Sequence, residues 1–452
     1  MQRGGVSMGV RTDRADRRHT ATPSSTLTTG LVACSAFLLF GLNNVETAAL
    51  PSYAMALGAG PLVAGLQNSL FVLVAILLRV ALERAVDHRG GRFAMIAGAL
   101  GYTVPCLALA GCTELWQVVV MRLAQAFGLA LFQPSVAQYL AAISPASTLG
   151  RRLGAVRFAT TASLMAGPAA MFPLADSCGY GAFFIALFLT GACGTAIAVA
   201  LPQISTRRGA GKRHGDEGAS APGTSTKLAS AADKRAALAS NPTPITHSPL
   251  NAVAAPAAVR ASTPFRLSPR RRALLIAEPL ALALGYSVVM NFGQTLAHET
   301  LAPGNDGTLF GLMSAGGLIA SPLAGWMADR LGPKCSVAGA AAFNGFGFLL
   351  MALGGSPATI LAGAFLCGAG YYGATAALVA AAGTSSSSES AGTFLARQQS
   401  ALDMGMIAGG LLSGSMMQTG LSVSDVCLAT SAIIGTSLVI WSMMYPNEKG
   451  TS

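Results

Sequence analysis

Charged residues are scarce. Only 10% of the 452 residues are Asp, Glu, Lys or Arg, against roughly 25% in soluble globular chains. Length alone would suggest about three soluble domains, and this composition excludes them. Acids are the rarer sign, 18 against 29 Lys and Arg. Five histidines are present, none well inside an apolar run, and no His-Glu-x-x-His occurs. Gly-x-Ser-x-Gly and Gly-x4-Gly-Lys-Ser/Thr are also missing, so the sequence offers no zinc protease, serine hydrolase or nucleotide hydrolase signature. No enzyme is expected, and no cofactor. The eight cysteines are scattered without a Cys-x-x-Cys, which speaks against a metal cluster. Leu31-Val-Ala-Cys34 imitates a lipoprotein cleavage box, but its apolar stretch follows the cysteine instead of preceding it, so no cleaved signal is expected.

What the chain has in excess is apolar length. It is 52% hydrophobic, with 53 glycines and a mean hydropathy of +0.55. Twelve apolar stretches, each about 20 residues and so able to cross a bilayer as a helix, fall near 28–48, 61–82, 92–112, 115–143, 153–175, 181–201, 273–296, 308–328, 335–354, 357–382, 395–417 and 423–444. The fold class is therefore an all-α membrane protein with 12 transmembrane helices. The net charge of +11 is not a nucleic-acid footprint. With the N-terminus inside, every Lys and Arg except Arg122 falls in cytoplasmic segments or at cytoplasmic helix ends. Glu114, Asp176, Glu299, Asp306 and Asp425 hold the other side. That is the positive-inside pattern. It predicts a multi-pass protein with both termini in the cytoplasm. The missing glycosylation sequon agrees with a bacterial inner membrane.

The chain divides by composition. Residues 1–26 read as a disordered cytoplasmic N-terminus, 27–202 and 272–445 as two six-helix halves, and 446–452 as a cytoplasmic tail. Between the halves, 203–271 is rich in Ala, Ser, Thr, Pro and basic residues without a periodic apolar face, and reads as a disordered linker. The halves share a register. An offset of 242 residues pairs Asp87 with Asp329, Gly90 with Gly332, Gly128 with Gly370 and Gly167 with Gly409. Upstream the register slips by about four residues, Gly65 matching Gly311. Paired repeats around a midplane site are characteristic of secondary transporters.

Gly325-Trp-Met-Ala-Asp329-Arg330-Leu-Gly332-Pro-Lys334 ends the eighth apolar run. Its order, Gly-x-x-x-Asp-Arg-x-Gly-x-Lys, resembles the loop signature of the major facilitator superfamily. Gly325 is expected to allow close helix approach. A weaker copy keeps Asp87, Gly90 and Arg92 but has Glu83 and His88 in place of the glycine and arginine. Arg122, Gln125, Gly128 and Ala130 resemble the family's helix 4 signature, in which the arginine is associated with proton coupling. Gly154, Gly167 and Pro168 resemble part of its helix 5 antiporter signature, while Ser163, Met171 and Phe172 depart from it. The resemblance, which extends to bacterial drug and metabolite efflux permeases, implies alternating access. It also implies that Asp87 meets the start of the eleventh helix and Asp329 the start of the fifth.

Intramembrane charges and amides nominate the working residues. Asp403 and Gln399 share a helix face, opposite Gly405 and Gly409. Arg122, Asp403 and Glu46 are candidates for proton coupling, with a permanent pair between Asp403 and Arg157 or Arg397 as the structural alternative. Glu278 is expected to meet water or the Arg270–Arg272 cluster. Carrying over the family's cavity-lining helices nominates Asn43, Asn44, Gln133, Tyr286, Asn291, Gln294, Tyr371 and Tyr372, with Arg157 and Gln399 beside them. The expected function is proton-coupled efflux of a small molecule by a monomer in the lipid bilayer, with no nucleic-acid partner. Uptake or facilitated diffusion of a sugar or organic acid is the first alternative. A transport-dead sensor or scaffold is the second.

Overall fold

A computed structural model describes residues 25–203, 269–384 and 391–445. Most of the expected tails and linker lie outside the described residues, as do the side chains of 25, 83–85, 87, 88, 146, 147, 382–384 and 391–393. The described chain is helical: α1 (Ser25–Ala56), α2 (Pro61–Arg89), α3 (Gly91–Leu109), α4 (Leu115–Ile143), then a 55-residue helix, Ala146–Ala200. Gly179 breaks that helix with φ 80° and ψ 169°, giving two legs, α5 (146–178) and α6 (180–200). The second half contains α7 (Pro269–Thr300), α8 (Asp306–Leu331), α9 (Pro333–Leu353), α10 (Pro357–Thr384), α11 (Ala391–Gln418) and α12 (Val423–Met444).

Ten of these helices, with Ala146–Ala200 taken as one, are long and apolar enough to cross a membrane. The helix below that mark is α11, which carries Arg397, Gln398, Gln399 and Asp403 in its first half. The helices outrun the apolar stretches that announce them. α1 extends eight residues past 48, through Pro51, and α5 begins at Ala146 rather than near 153. At the end rich in acids, two helix starts are closed by capping boxes, Glu114 with Gln117 and Ser422 with Asp425.

The repeat is visible in the backbone. Gly90 and Gly332 stand between consecutive helices with nearly the same torsions, φ 85° and 84° and ψ 158° in both. Only glycine enters that region at little cost. Gly179 and Gly420 are positive-φ glycines 241 residues apart, and Gly58 and Gly304 are 246 apart, which restates the slipped register. Packing repeats as well. A Cβ on Gly128 would meet Tyr102, and one on Gly370 would meet Asn344, the residue 242 positions after Tyr102. In the first half Gly167 of α5 and Gly191 and Gly194 of α6 close on α1. In the second, Gly405 and Gly409 of α11 close on Leu280 and Leu284 of α7. Small residues let backbones approach where lipid provides no hydrophobic drive between helices.

The halves touch unevenly. At the acid-rich end Gln418 reaches the start of α2, accepting from Leu62 N–H at 3.5 Å, and Gly65 and Gly410 nearly touch. Gly307 of α8 abuts Pro168 of α5, and Phe172 meets Phe310 edge-on with centroids 5.7 Å apart. Midway, Ser314 donates to the Thr161 carbonyl at 2.5 Å and Ser69 to that of Ile407 at 3.0 Å. Further down the same helices, a Cβ on Gly154 or Gly325 would meet nothing within 4 Å. The close approach expected at Gly325 is therefore absent in the described arrangement.

These contacts make opposite forecasts for two glycines. Gly128→Ala puts a methyl 2.7 Å from Tyr102 Cγ and is expected to cost about 1–3 kcal/mol through overpacking. Gly325→Ala is expected to leave the melting temperature in detergent unchanged. Equal melting temperatures for the two variants would contradict this packing.

Candidate functional site

Where the halves meet at mid-depth, a cavity of about 180 Å³ lies between α1, α2, α4, α5, α7, α10 and α11. Nine of the ten nominated cavity residues line it: Asn43, Asn44, Gln133, Arg157, Tyr286, Asn291, Tyr371, Tyr372 and Gln399. Gln294 lies off the lining, buried, with its Oε1 unpartnered. Asp403 lines the cavity too.

Behind the cavity wall Arg122 is fully buried, and its guanidinium dictates the neighbourhood. Its Nε donates to Asn68 Oδ1 at 3.2 Å, one terminal nitrogen to Gln125 Oε1 at 3.1 Å and the other to Thr47 Oγ1 at 2.6 Å. The Phe71 ring covers it, 3.7 Å from Cζ to centroid. Its counter-charge is Glu46, also fully buried, with Nη1 to Oε2 at 3.9 Å; Gln125 Nε2 donates to the same oxygen at 2.7 Å. Two proton-coupling candidates are thus one another's partners. Helix spacing explains the convergence: Arg122 and Gln125 sit three residues apart on one face of α4, opposite Thr47 and Glu46 of α1.

The network crosses between the halves. Asn68 donates to the Thr47 carbonyl at 2.9 Å and to Asn291 Oδ1 at 3.0 Å. Asn291 donates to Ser287 Oγ at 3.1 Å, and Ser287 Oγ donates to the Met406 carbonyl at 2.7 Å. A chain of polar contacts therefore runs from α1 and α4 through α2 to α7 and α11.

Asp403 is paired, but with neither Arg157 nor Arg397. Its Oδ2 lies 3.4 Å from Nη1 of Arg79 on α2, and its Oδ1 accepts from Gln399 at 3.0 Å. The side chains of Arg79 and Asp403 are 23% and 7% exposed, so the pair borders the cavity and also joins the halves. Arg79 is thus a cavity residue and not merely a basic helix end. Sequence reasoning had passed over it, although an arginine inside the apolar run 61–82 is the same signal that singles out Arg122. Arg157 is exposed and lines the cavity together with Tyr286, Tyr371 and Tyr372. Tyr286 stacks on Tyr371 with centroids 4.5 Å apart, and Tyr372 meets Tyr371 edge-on at 5.0 Å.

The remaining motif residues divide by location. Arg92 donates to the Val199 carbonyl at 2.6 Å, tying the α2–α3 turn to the end of α6. Asp329 is exposed, and among the described residues no hydrogen bond or ion pair joins it to the start of α5; Arg330 covers the Trp326 ring at 4.5 Å. The Lys334 carbonyl accepts from Trp441 Nε1 at 3.1 Å. The Asp87 side chain and the first side chains of α11, at 391–393, lie outside the described residues. Glu278 corrects an expectation. It is 2% exposed and its Oε2 accepts from Ser437 of α12 at 2.5 Å, so α12 packing removes it from the water expected there. All eight cysteines are free. Among the described residues no cluster of three or more His, Cys, Asp or Glu is arranged to hold a metal ion.

The model of the Major Facilitator Superfamily matches residues 32–298 and 274–452. The fold resembles the nucleoside transporter NupG, with a TM-score of 0.64 at 14% identity over 94% of this chain and 100% of that one. It also resembles a POT family transporter solved with a thioalcohol-conjugated peptide, with a TM-score of 0.65 at 14% identity over 93% and 96%. The human organic anion transporter MFSD10 superposes with a TM-score of 0.57 at 17% identity over 93% and 100%. Comparison with curated protein sequences finds no match.

Removing one member of the buried pair leaves the other without a counter-charge. Arg122→Leu is expected to destabilise the protein by about 3–5 kcal/mol. The Glu46→Leu, Arg122→Leu double variant is expected to regain much of that loss. Unfolding curves in detergent measure both, and a double variant at least as unstable as the single would contradict the pairing.

Proposed function

We propose that this chain, which belongs to the Major Facilitator Superfamily, moves a small molecule across the membrane by proton-coupled alternating access, with Asp403 carrying the proton. Membership makes it a multi-pass membrane transport protein with a small-molecule substrate. The coupling reading rests on one observation, the Arg79–Asp403 contact that joins the halves inside the cavity. Protonating Asp403 removes its charge, dissolves the pair and frees the Arg79 guanidinium. The same event loosens α2 from α11. One proton thereby changes both the charge of the cavity and the grip between the halves. Arg122 and Glu46 would hold the wall against which this happens.

On this reading the described arrangement is open to the cytoplasm. The basic end faces inward, the 203–271 linker and both termini lie on that side, and the protein works as a monomer in a bacterial inner membrane. The exposure of Asp329 and the empty space beside Gly154 and Gly325 suit a state in which the loop signatures are disengaged. In the opposite state Asp87 and Asp329 would cap the facing helices and lock that end shut.

Two directions of transport are in play. Export of a drug or metabolite is supported by Gly154, Gly167 and Pro168, the last two packed where α5 crosses α1 and α8. Uptake of an organic acid is supported by the lining, whose charged members are Arg79, Arg157 and Asp403. Two cations face one carboxylate, and protonating that carboxylate makes the cavity more welcoming to an anion. That is cooperation between proton and substrate, as symport requires.

Metabolite profiles of a deletion strain, its wild-type complement and an Asp403→Asn complement test the proposal. Asp403→Asn is expected to resemble the deletion. Export predicts a compound trapped inside both strains; uptake predicts one left in their medium. A wild-type profile from Asp403→Asn would refute coupling through this residue.

A further inference from the structure

The central cavity joins two features that the coupling reading leaves unused. One is an aromatic wall. Tyr286 of α7 and Tyr371 of α10 stack with an interplanar angle of 19°, and Tyr372 stands edge-on to both. Their packing against one another fixes the rings, so a ligand meets a surface that needs little ordering on binding. The other is Arg157. It is exposed on α5 and lines the same cavity as the three tyrosines. Asp403 is engaged by Arg79 and Gln399. The rest of the lining is neutral, with amides from Asn43, Asn44 and Gln133.

A cluster of tyrosines by itself would suit an ammonium ion as well as a planar ring. The charges decide between them. Arg79 and Arg157 outnumber Asp403 in the lining, so a cationic ligand would meet an excess of positive charge. A neutral polyol would use the amides but would gain nothing from a planar guanidinium, whose fork geometry matches a carboxylate. We infer that the cavity selects a small planar organic anion, its carboxylate on Arg157 and its ring against the Tyr286–Tyr371–Tyr372 wall. The inference rests on the cavity being the transport site and names the class of molecule carried there. Asn43, Asn44 and Gln133 would then sort members of the class by their ring substituents.

Equilibrium dialysis with purified protein in lipid nanodiscs tests this with four probes. Benzoate has both features. Cyclohexanecarboxylate keeps the charge without the π face, benzylammonium keeps the ring with the opposite charge, and glucose is neutral. Benzoate is expected to bind best. Arg157→Gln is expected to weaken it by at least about tenfold through loss of a charge-assisted contact, with partial recovery in Arg157→Lys. Tyr371→Leu is expected to cost about two- to tenfold and to erase the preference over cyclohexanecarboxylate. Gel filtration of each variant excludes misfolding as the cause. Tighter binding of benzylammonium or glucose, no benzoate binding, or benzoate binding indifferent to Arg157→Gln would overturn the inference.

A parallel comparison of wild type and Asp403→Asn in acidic and alkaline buffer separates this class from the coupling reading. Benzoate binding that strengthens in acid for wild type but not for Asp403→Asn supports both. Benzoate preference with the same pH response in the two proteins keeps the class and sinks the coupling. A pH response lost in Asp403→Asn for another probe that binds better keeps the coupling and sinks the class.

Discussion

An arginine in the middle of a bilayer costs at least about 2.5 kcal/mol to insert, and much of this structure is arranged around that cost at Arg122. Its donors find Asn68, Gln125 and Thr47, its charge finds Glu46, and its flat face finds Phe71. Satisfying one guanidinium recruits α1, α2 and α4 into a fixed relation. Because Asn68 also reaches Asn291, the same network reaches the second half. Partly satisfied polar networks are worse than apolar cores, so these residues act as a unit. The cavity lies on the far side of that unit, where further charges can remain wet.

The contrast between the two arginine–carboxylate pairs follows from depth. Arg122 and Glu46 are sealed, so separating them leaves uncompensated charge in a low-dielectric setting. Arg79 and Asp403 border the cavity, where water and substrate can replace either partner. One pair therefore suits a scaffold and the other a switch. The packing gradient between the halves agrees with that division. Glycines and amides bind the acid-rich ends of α2 with α11 and of α5 with α8, while Gly154 and Gly325 face open space. A hinge that keeps one end tight while the other parts is what rocking of paired repeats requires.

Much of the fold was legible because bilayers impose simple rules. Length and apolarity announced the helices, and a shared offset announced the repeat, down to the slip that reappears between Gly58 and Gly304. Gly179 was not legible as the sole break in a 55-residue helix, because nothing local separates a kink from a loop there. In the site, polar residues inside apolar runs flagged most of the lining. Their partners stayed hidden. A sequence shows that Asp403 needs a counter-charge, but not that Arg79, 324 positions earlier and in the other half, supplies it. Gly325 and Asp329 misled for a different reason. In the described arrangement Gly325 has open space beside it and Asp329 is exposed, which the proposed alternating access would assign to one of its two states.

The central claim is that the protonation of Asp403 sets the grip between the halves. Pulsed electron–electron resonance between spin labels at positions 154 and 325 reads that grip directly, in a background with the exposed cysteines Cys34, Cys178, Cys193 and Cys335 replaced. Both positions have room for a label. Because the Arg79–Asp403 pair belongs to the described arrangement, breaking it lets the opposite arrangement, closed at the basic end, fill. The account therefore predicts a long distance in alkaline buffer, growth of a shorter one in acid, and the acid-like distribution at all pH in Asp403→Asn. A distribution that ignores pH in the wild type, or an Asp403→Asn variant that responds to pH as the wild type does, would contradict it.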